Sequence, residues 1–433
     1  MKKVVVIGGK LQGTEACYLA RKAGYVSALI DKRANAPASG VADETLVCDV
    51  CCDPSDEGGA LATLLRSADL VLPALEDADA LKAIARLAKR YDLPLAFDAD
   101  AYKVTSSKSL SDALIHRLGV PSPGRAGNGA GNGASIQGGV DSPRADRGEA
   151  EMNSDGWIVK PSRGSGSAGV RRFATLGEAR VYAASRADGD ANRAGMASRA
   201  DGDAGSVSMT GHADAEDFII QRYLEGPSYS VEVVGRPGNY RSYEVTEIHV
   251  DDVWDCKLVT APCALDPAVE ASFRDASVRL AESLGLRGIM DAEAILHDGE
   301  MKMLEIDARI PSQTPAVVLA STGVNLLTEL MELTEGNFGD GGRRLTRERR
   351  FVAYENIIAT RDGVFSRGEH IMGKAGPLTL REGFFGADES LTDYREGCAD
   401  FRGIFINSAD TEKTLAEKRA KLYENIRGLM VGG

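Results

Sequence analysis

Three carboxylates in the segment 288–309 carry the strongest chemical signal in this chain. Two alternating apolar runs flank Asp298-Gly299, so the segment reads as a β-hairpin. Glu305 and Asp307 alternate with Leu304 and Ile306 and therefore share one face of a strand, while Glu293 lies on the partner strand. Register decides whether they meet. A two-residue turn at Asp298-Gly299 would pair Glu293 with Leu304, whereas a three-residue turn ending at Glu300 pairs Glu293 with Glu305. The three-residue turn is expected, with Gly299 left-handed. Carboxylates gathered on one face repel one another and resist burial, so the cluster implies a cation. All-oxygen ligands suit Mg²⁺ together with nucleotide phosphates. The plain alternative, a solvated edge hairpin, fits poorly with strands this apolar.

Other stretches offer handles for anions and bases. In 157–173, two short strands bracket a loop containing Gly164, Ser165, Gly166, Ser167 and Gly169, whose backbone N–H groups can wrap phosphate oxygens, and Lys160 adds a point charge. No Gly-Lys-[Ser/Thr] opens a helix there, so it is a phosphate lid and not a Walker A loop. Extended backbone from Gln221 to Leu224 exposes an N–H and a C=O at the spacing that reads an adenine edge, and the same segment fits a plain interdomain hinge equally well. The turn Gly8-Gly9-Lys10-Leu11-Gln12-Gly13 puts Lys10 where a dinucleotide fingerprint needs glycine. Lys10 at a helix N-terminus still makes an anion site, for a carboxylate or a phosphate. Acids such as Glu232 and Asp255 suit a substrate carrying amino groups.

Residues 2–100 alternate strands (4–7, 27–31, 45–48, 70–73, 95–97) with helices (14–23, 59–66, 78–91), which predicts a parallel sheet covered on both faces. A helix capped by Ser106 or Ser107 and ending at Gly119 opens a new unit. Strands are expected at 243–250 and 253–261, and a helix at 267–284 between Asp266-Pro267 and Gly285. Helices then start at 316 and 325, and the tail carries strands 351–358 and 404–407 and a helix 411–429, with no separate chemistry. Low-complexity tracts at 124–156 and 183–215 cannot bury enough apolar surface to offset ordering entropy, so they are expected to be mobile surface insertions. The expected division is 1–102, 103–225 with both insertions, and 226–433.

At 433 residues the chain exceeds one ordinary core. Its formal charge of −13 argues against a nucleic-acid partner, and no apolar run is long enough to span a bilayer. Seven scattered cysteines and no secretion signal point to reduced thiols in the cytoplasm.

A lid lysine, an adenine hinge and a carboxylate hairpin, in that order after a Rossmann-like domain, resemble the ATP-grasp superfamily. The resemblance implies an α/β and α+β chain: a Rossmann-like N-terminal domain, then an ATP-grasp fold with a lid subdomain and a C-terminal antiparallel-sheet domain. In that superfamily a Glu followed twelve residues on by Glu-x-Asn-x-Arg binds two Mg²⁺ ions. Glu293, Glu305, Asp307 and Arg309 match, with Asp307 in place of Asn. The likeness implies ATP contacts at Lys108, Lys160, Ser165, Gly166, Ser167, Gln221, Leu224 and Lys257. Ser228 stands where many relatives carry a ribose-binding Glu. Arg309 and Lys160 take the catalytic roles, and Lys10, Leu11, Glu232, Asp255, Ser312 and Gln313 the substrate contacts.

The segments 8–13, 224–230, 255–257 and 305–315 further resemble the ligase family of pyrrolysine biosynthesis within that superfamily. This implies ATP-dependent joining of the carboxyl of (3R)-3-methyl-D-ornithine to the ε-amine of L-lysine through an acyl phosphate. The partners are then small amino acids, with a homodimer left open. Another ATP-grasp ligase with different amino acids, a biotin-carboxylase-like enzyme, or a non-catalytic nucleotide-binding module are the rivals.

Overall fold

Val4, Val5, Val6 and Ile7 are all buried, alternately on opposite faces of the first strand, and this double burial organises the N-terminal unit. A computed structural model of the chain describes residues 1–52, 59–126, 156–197 except Ser165, Gly166 and Ala168, 218–339, 348–398 and 400–431. The unit runs β1 (Lys3–Ile7), α1 (Leu11–Lys22), β2 (Val26–Asp31), β3 (Glu44–Val47), α2 (Ala60–Arg66), β4 (Leu70–Pro73) and α3 (Ala78–Tyr91). Its four strands are parallel in the order β3-β2-β1-β4, and Val4–Ile7 of β1 and all of β4 are apolar and buried because both faces are covered there, while the edge strand β3 is largely exposed. The expected strand at 95–97 reduces to one bridge, Val71 with Leu95.

α4 (Ala99–Thr105), unread in the sequence, and α5 (Lys108–Arg117) lead into β5 (Trp157–Pro161), β6 (Arg171–Phe173), α6 (Leu176–Ala197) and β7 (Phe218–Arg222). Ser107 caps α5 by accepting from the Leu110 N–H. The three strands form an antiparallel sheet in the order β6-β5-β7, against which Ala179 of α6 packs beside Trp157 and Val159. α6 corrects the expectation for the second low-complexity tract, whose first part, up to Ala197, is helix. Its alanines have high helix propensity and extend a helix already nucleated by the apolar turn at Leu176. The rest of that tract and most of the first lie outside the described residues.

The remaining chain builds one long antiparallel sheet. Its strands are β8 (Ser228–Arg236), β9 (Asn239–Val250), β10 (Cys256–Ala261), β11 (Gly288–His297), β12 (Glu300–Asp307), β13 (Phe351–Thr360), β14 (Gly363–Ser366), β15 (Thr379–Glu382), β16 (Glu389–Thr392) and β17 (Phe401–Ala409). The order is β12-β11-β8-β9-β10-β13-β17-β16-β15, with β14 beside β13. The helices α7 (Pro267–Leu284), α8 (Thr314–Thr322), α9 (Leu326–Thr334) and α10 (Glu412–Val431) cover it. α7 begins and ends as read: Asp266 accepts from the Ala268 and Val269 N–H groups, and Gly285 closes it in the left-handed region at φ +64°. The strand expected at 253–261 starts only at Cys256, because Asp251 Oδ1 accepts from the Val253 and Asp255 N–H groups and bends 251–255 into a turn.

No single described helix is long and apolar enough to cross a membrane; α8 and α9 pass such a test only as a pair bent by 99°, and their apolar residues belong to the main core.

Candidate functional site

Asp298 and Gly299 lie at φ +52° and +74°, so the hairpin turn has two residues, and His297 pairs with Glu300. This corrects the expected three-residue turn. The pairing Glu293 with Glu305 holds nevertheless, for a different reason. Ala294 still pairs with Met303, and the next pair is Glu293 with Glu305, so Leu304 is the extra residue of a β-bulge. The bulge also resolves a parity conflict. Met301, Met303, Glu305 and Asp307 would share one face of a regular strand, the core face; after the bulge Ile306 joins the methionines in the core and both acids turn to the other side. The Leu304 carbonyl accepts from Lys160 Nζ at 3.3 Å.

On that side β11 adds a fourth acid absent from the sequence reading. Asp291 pairs with Asp307 on one flank and with Glu232 of β8 on the other, while Glu293 pairs with Glu305 and Ser230. The i, i+2 spacing of Asp291 and Glu293 on an alternating strand was the available signal. Both Glu232 oxygens, Asp291 Oδ1, Asp307 Oδ1 and Ser230 Oγ are buried without a protein hydrogen-bond partner. Burial, reinforced by neighbouring acids, pushes Glu293 up to about 7, Asp307 to about 6 and Asp291 well above the usual carboxylate range; burial likewise brings Glu232 to about 7. Oxygens so placed fit a divalent cation, the one partner that neutralises several at once. Among the described residues no three His, Cys, Asp or Glu side chains form a ready-made metal cage.

Protein cations border the patch. Lys108 pairs with Glu305, and Arg309 reaches Asp307 at 2.8 Å and Glu76 at 2.6 Å. Burial opposes the Arg309 charge, but Asp307, Glu76 and Asp291 outweigh it and hold the guanidinium protonated. Lys160 is buried, and burial, aided by Lys108, lowers its pKa while Glu305 opposes. The Lys108 N–H donates to the Ser162 carbonyl, tying α5 to the lid loop. Of the lid residues, Ser167 donates to the Trp254 carbonyl at 2.7 Å; Ser165 and Gly166 lie outside the described residues.

Gln221 is buried and donates to Asp112 at 2.9 Å, whereas Leu224 makes no hydrogen bond among the described residues, which leaves its backbone groups available to a ligand. Ser228 begins β8, and Lys257 stands at the irregularity where β10 leaves its register with β9.

Two cavities meet here. The smaller, about 170 Å³, contains Asp291, Glu293, Glu305 and Asp307; the larger, about 740 Å³, lies at the C-terminal ends of the parallel strands, past Lys10 and Leu11. Asp255, Arg309, Ser312 and Glu369 line both. Ser312 Oγ and Gln313 Nε2 donate to Glu369 Oε2 at 3.0 and 3.1 Å, and Asp255 Oδ2 accepts from His370. Glu369 and His370 therefore line the site, which corrects the expectation that the tail carries no separate chemistry. They sit on a short 3₁₀ turn with no periodic pattern, brought in only by the sheet.

The raised carboxyls set a pH dependence. A carboxyl whose folded pKa exceeds its unfolded value contributes stability at low pH that is lost as pH rises through the folded value. Glu15, buried and raised to about 8, joins Asp307, Glu232 and Glu293 in that class. Thermal melts should show Tm falling between pH 5 and 8, and Mg²⁺ with nucleotide should flatten the slope by partnering the patch acids. A Tm rising across that window would contradict the burial of these groups as acids.

Comparison with known proteins is consistent throughout. An ATP-grasp domain model matches residues 191–313. A Methanosarcina mazei protein called 3-methyl-D-ornithine–L-lysine ligase is 30% identical over 364 residues, covering 84% of this chain and 80% of its own. Its Methanosarcina barkeri counterpart is 31% identical over 366 residues, 84% and 82%. Among solved structures, L-amino acid ligase from Bacillus licheniformis superposes with TM-score 0.59 at 15% identity over 98% of both chains. Biotin carboxylase from Campylobacter jejuni gives 0.65 at 14%, over 96% of this chain and 89% of its own; these two show the fold alone. The carboxylate hairpin, the lid and this likeness along most of the chain place it in the ATP-grasp superfamily of carbon–nitrogen ligases that use ATP and Mg²⁺, in the family of the 3-methyl-D-ornithine–L-lysine ligases.

Proposed function

We propose that the chain joins the carboxyl of (3R)-3-methyl-D-ornithine to the ε-amine of L-lysine in pyrrolysine biosynthesis, through an acyl phosphate made at the expense of ATP. The observation that carries this reading is the junction of the two cavities at Arg309 and Asp255, between a carboxylate patch suited to phosphoryl transfer and a chamber large enough for two amino acids.

Two Mg²⁺ ions held by Glu293, Glu305 and Asp307 would supply charge neutralisation on the ATP phosphates. Lys108, Lys160 and the loop with Ser165, Gly166 and Ser167 grip those phosphates, Gln221 and Leu224 the adenine, and Ser228 and Lys257 the rest of the nucleotide. Arg309, fixed between Asp307 and Glu76, steadies the charge that develops on the transferred phosphoryl group or the tetrahedral adduct. Lys10 and Leu11 at the start of α1 face the larger cavity, where Lys10 suits a substrate carboxylate. Glu232, Asp255, Ser312 and Gln313 offer acceptors to substrate amino groups. Lid closure over this junction excludes water that would hydrolyse the acyl phosphate.

The division 1–102, 103–225 and 226–433 fits the three separate sheets. A cytoplasmic setting fits seven free cysteines. All the proposed site residues lie on one chain, so a homodimer is compatible with the reading and not required by it.

Incubation with ATP, Mg²⁺, (3R)-3-methyl-D-ornithine and L-lysine should yield the amide, seen by mass spectrometry, with stoichiometric ADP. ADP release driven by bicarbonate and indifferent to amino acids would overturn the assignment.

A further inference from the structure

We propose that His370, oriented by Asp255, is the general base that takes the proton from the attacking amine. The inference rests on the ligase reading above. An ε-ammonium group has a pKa of about 10.4, so roughly one molecule in a few thousand is a free amine at pH 7. A ligase that uses it as a nucleophile gains by removing the proton in place.

Among the described residues, His370 supplies the only imidazole lining either cavity. Its Nδ1–H donates to Asp255 Oδ2 at 2.6 Å, and its backbone N–H donates to the same oxygen at 2.8 Å. Asp255 is 4% exposed and is itself held in the 251–255 turn. Asp251 accepts from the Gly368 N–H at 2.9 Å, which clamps the 3₁₀ turn onto that turn. The approach is close enough to require glycine at 368, where a Cβ would come within 2.4 Å of the Asp255 side chain. With Nδ1 so engaged, the Nε2 lone pair is the free end of the ring. The side chain is 54% exposed and lines the larger cavity, next to the four residues shared with the smaller one.

Other cavity acids are poorer bases for this purpose. Asp31 accepts from Gly9 and Arg33, which hold its carboxyl below the usual range against its burial, and Glu76 is paired with Arg309. The charged and titratable groups around His370 are Asp251 and Asp255 on the facing turn, Glu369 beside it, Arg309 on the cavity wall, and Glu15 and Tyr354 beyond Glu369.

In the step, an N–H bond of the ε-ammonium breaks and its proton passes to His370 Nε2. The nitrogen lone pair so released attacks the acyl-phosphate carbonyl, the C–N bond forms, the C–O bond to phosphate breaks, and the second nitrogen proton leaves with the departing phosphate as hydrogen phosphate. The imidazolium, stabilised by Asp255, then returns its proton to solvent through the exposed ring edge.

The test separates activation from amine attack. Hydroxylamine is neutral at pH 7 and needs no base, so it traps the acyl phosphate as a hydroxamate. With His370→Gln, lysine ligation at pH 7 should fall by about 10²–10⁴-fold, whereas hydroxamate formation stays within about twofold of wild type. The ligation deficit should narrow as pH rises towards the lysine pKa. Where His370→Gln lowers Tm, His370→Ala with added imidazole replaces it, and restored ligation is expected. Wild-type ligation, equal loss of both reactions, a deficit that ignores pH, or no rescue would overturn the proposal. If the wild-type enzyme itself makes no amide from methylornithine and lysine, the ligase reading falls and this proposal with it; a normal wild type beside an unaffected His370→Gln overturns the base alone.

Discussion

Replacing Lys160 with alanine should cut ATP-dependent turnover by about 10²–10³-fold, the usual cost of deleting one preorganised charge at a developing anion, while the protein stays folded. Lys160 is buried at the foot of the lid and spends one hydrogen bond on the bulged Leu304 carbonyl. Burial and the nearby Lys108 work against its charge, so its native position contributes little to stability. In the proposed function its charge serves a phosphate of the nucleotide. Lys160→Ala should therefore show an unchanged or raised Tm beside the lost activity. Lys160→Arg should recover little, because a planar guanidinium does not replace a compact ammonium in a closed pocket. Undiminished ADP release from Lys160→Ala would remove the lid from the mechanism.

Glu305→Gln and Asp307→Asn should part company, although both delete one charge from the same strand. Glu305 pairs with Lys108 and faces Glu293 across the bulge, where the proposed function puts a cation and the nucleotide. Its loss should lower turnover by about 10²–10³-fold and raise the Mg²⁺ concentration needed for half-maximal rate. Asp307 stands opposite Asp291 with one oxygen lacking any protein partner. The superfamily pattern carries Asn there, so Asp307→Asn should keep turnover within about tenfold, since one amide oxygen still serves as a ligand. It should also raise Tm at pH 8 by relieving the burial cost, with repulsion from Glu305 added, that lifts the carboxyl to about 6. Steady-state rates across a Mg²⁺ titration and melts at pH 8 check both; wild-type rates for Glu305→Gln, or equal losses in the two variants, would refute the division of roles.

The hairpin shows how a sequence can be read correctly for an incorrect local reason. Counting from a three-residue turn paired Glu293 with Glu305; the structure reaches the same pair through a tight turn and a bulge at Leu304. A bulge leaves no compositional mark, but the parity clash of Met301 and Met303 with Glu305 and Asp307 was visible, and only an extra residue between them puts methionine in the core and the acids out. Asp291 was legible by the same alternation. Glu369 and His370 were not, since nothing local marks a 3₁₀ turn more than 60 positions beyond the hairpin as its neighbour.

By itself the sequence determined most of the element types, the capped helices, the parallel N-terminal sheet and the acid hairpin. These depend on periodicity, turn chemistry and charge, which act over a few residues. Only the tertiary structure decided which acids are buried together, that Lys108 and Arg309 balance them, and that two cavities share the wall of Asp255, Arg309, Ser312 and Glu369. Those outcomes depend on desolvation and on distances between strands and turns far apart in the chain, quantities that no local pattern encodes.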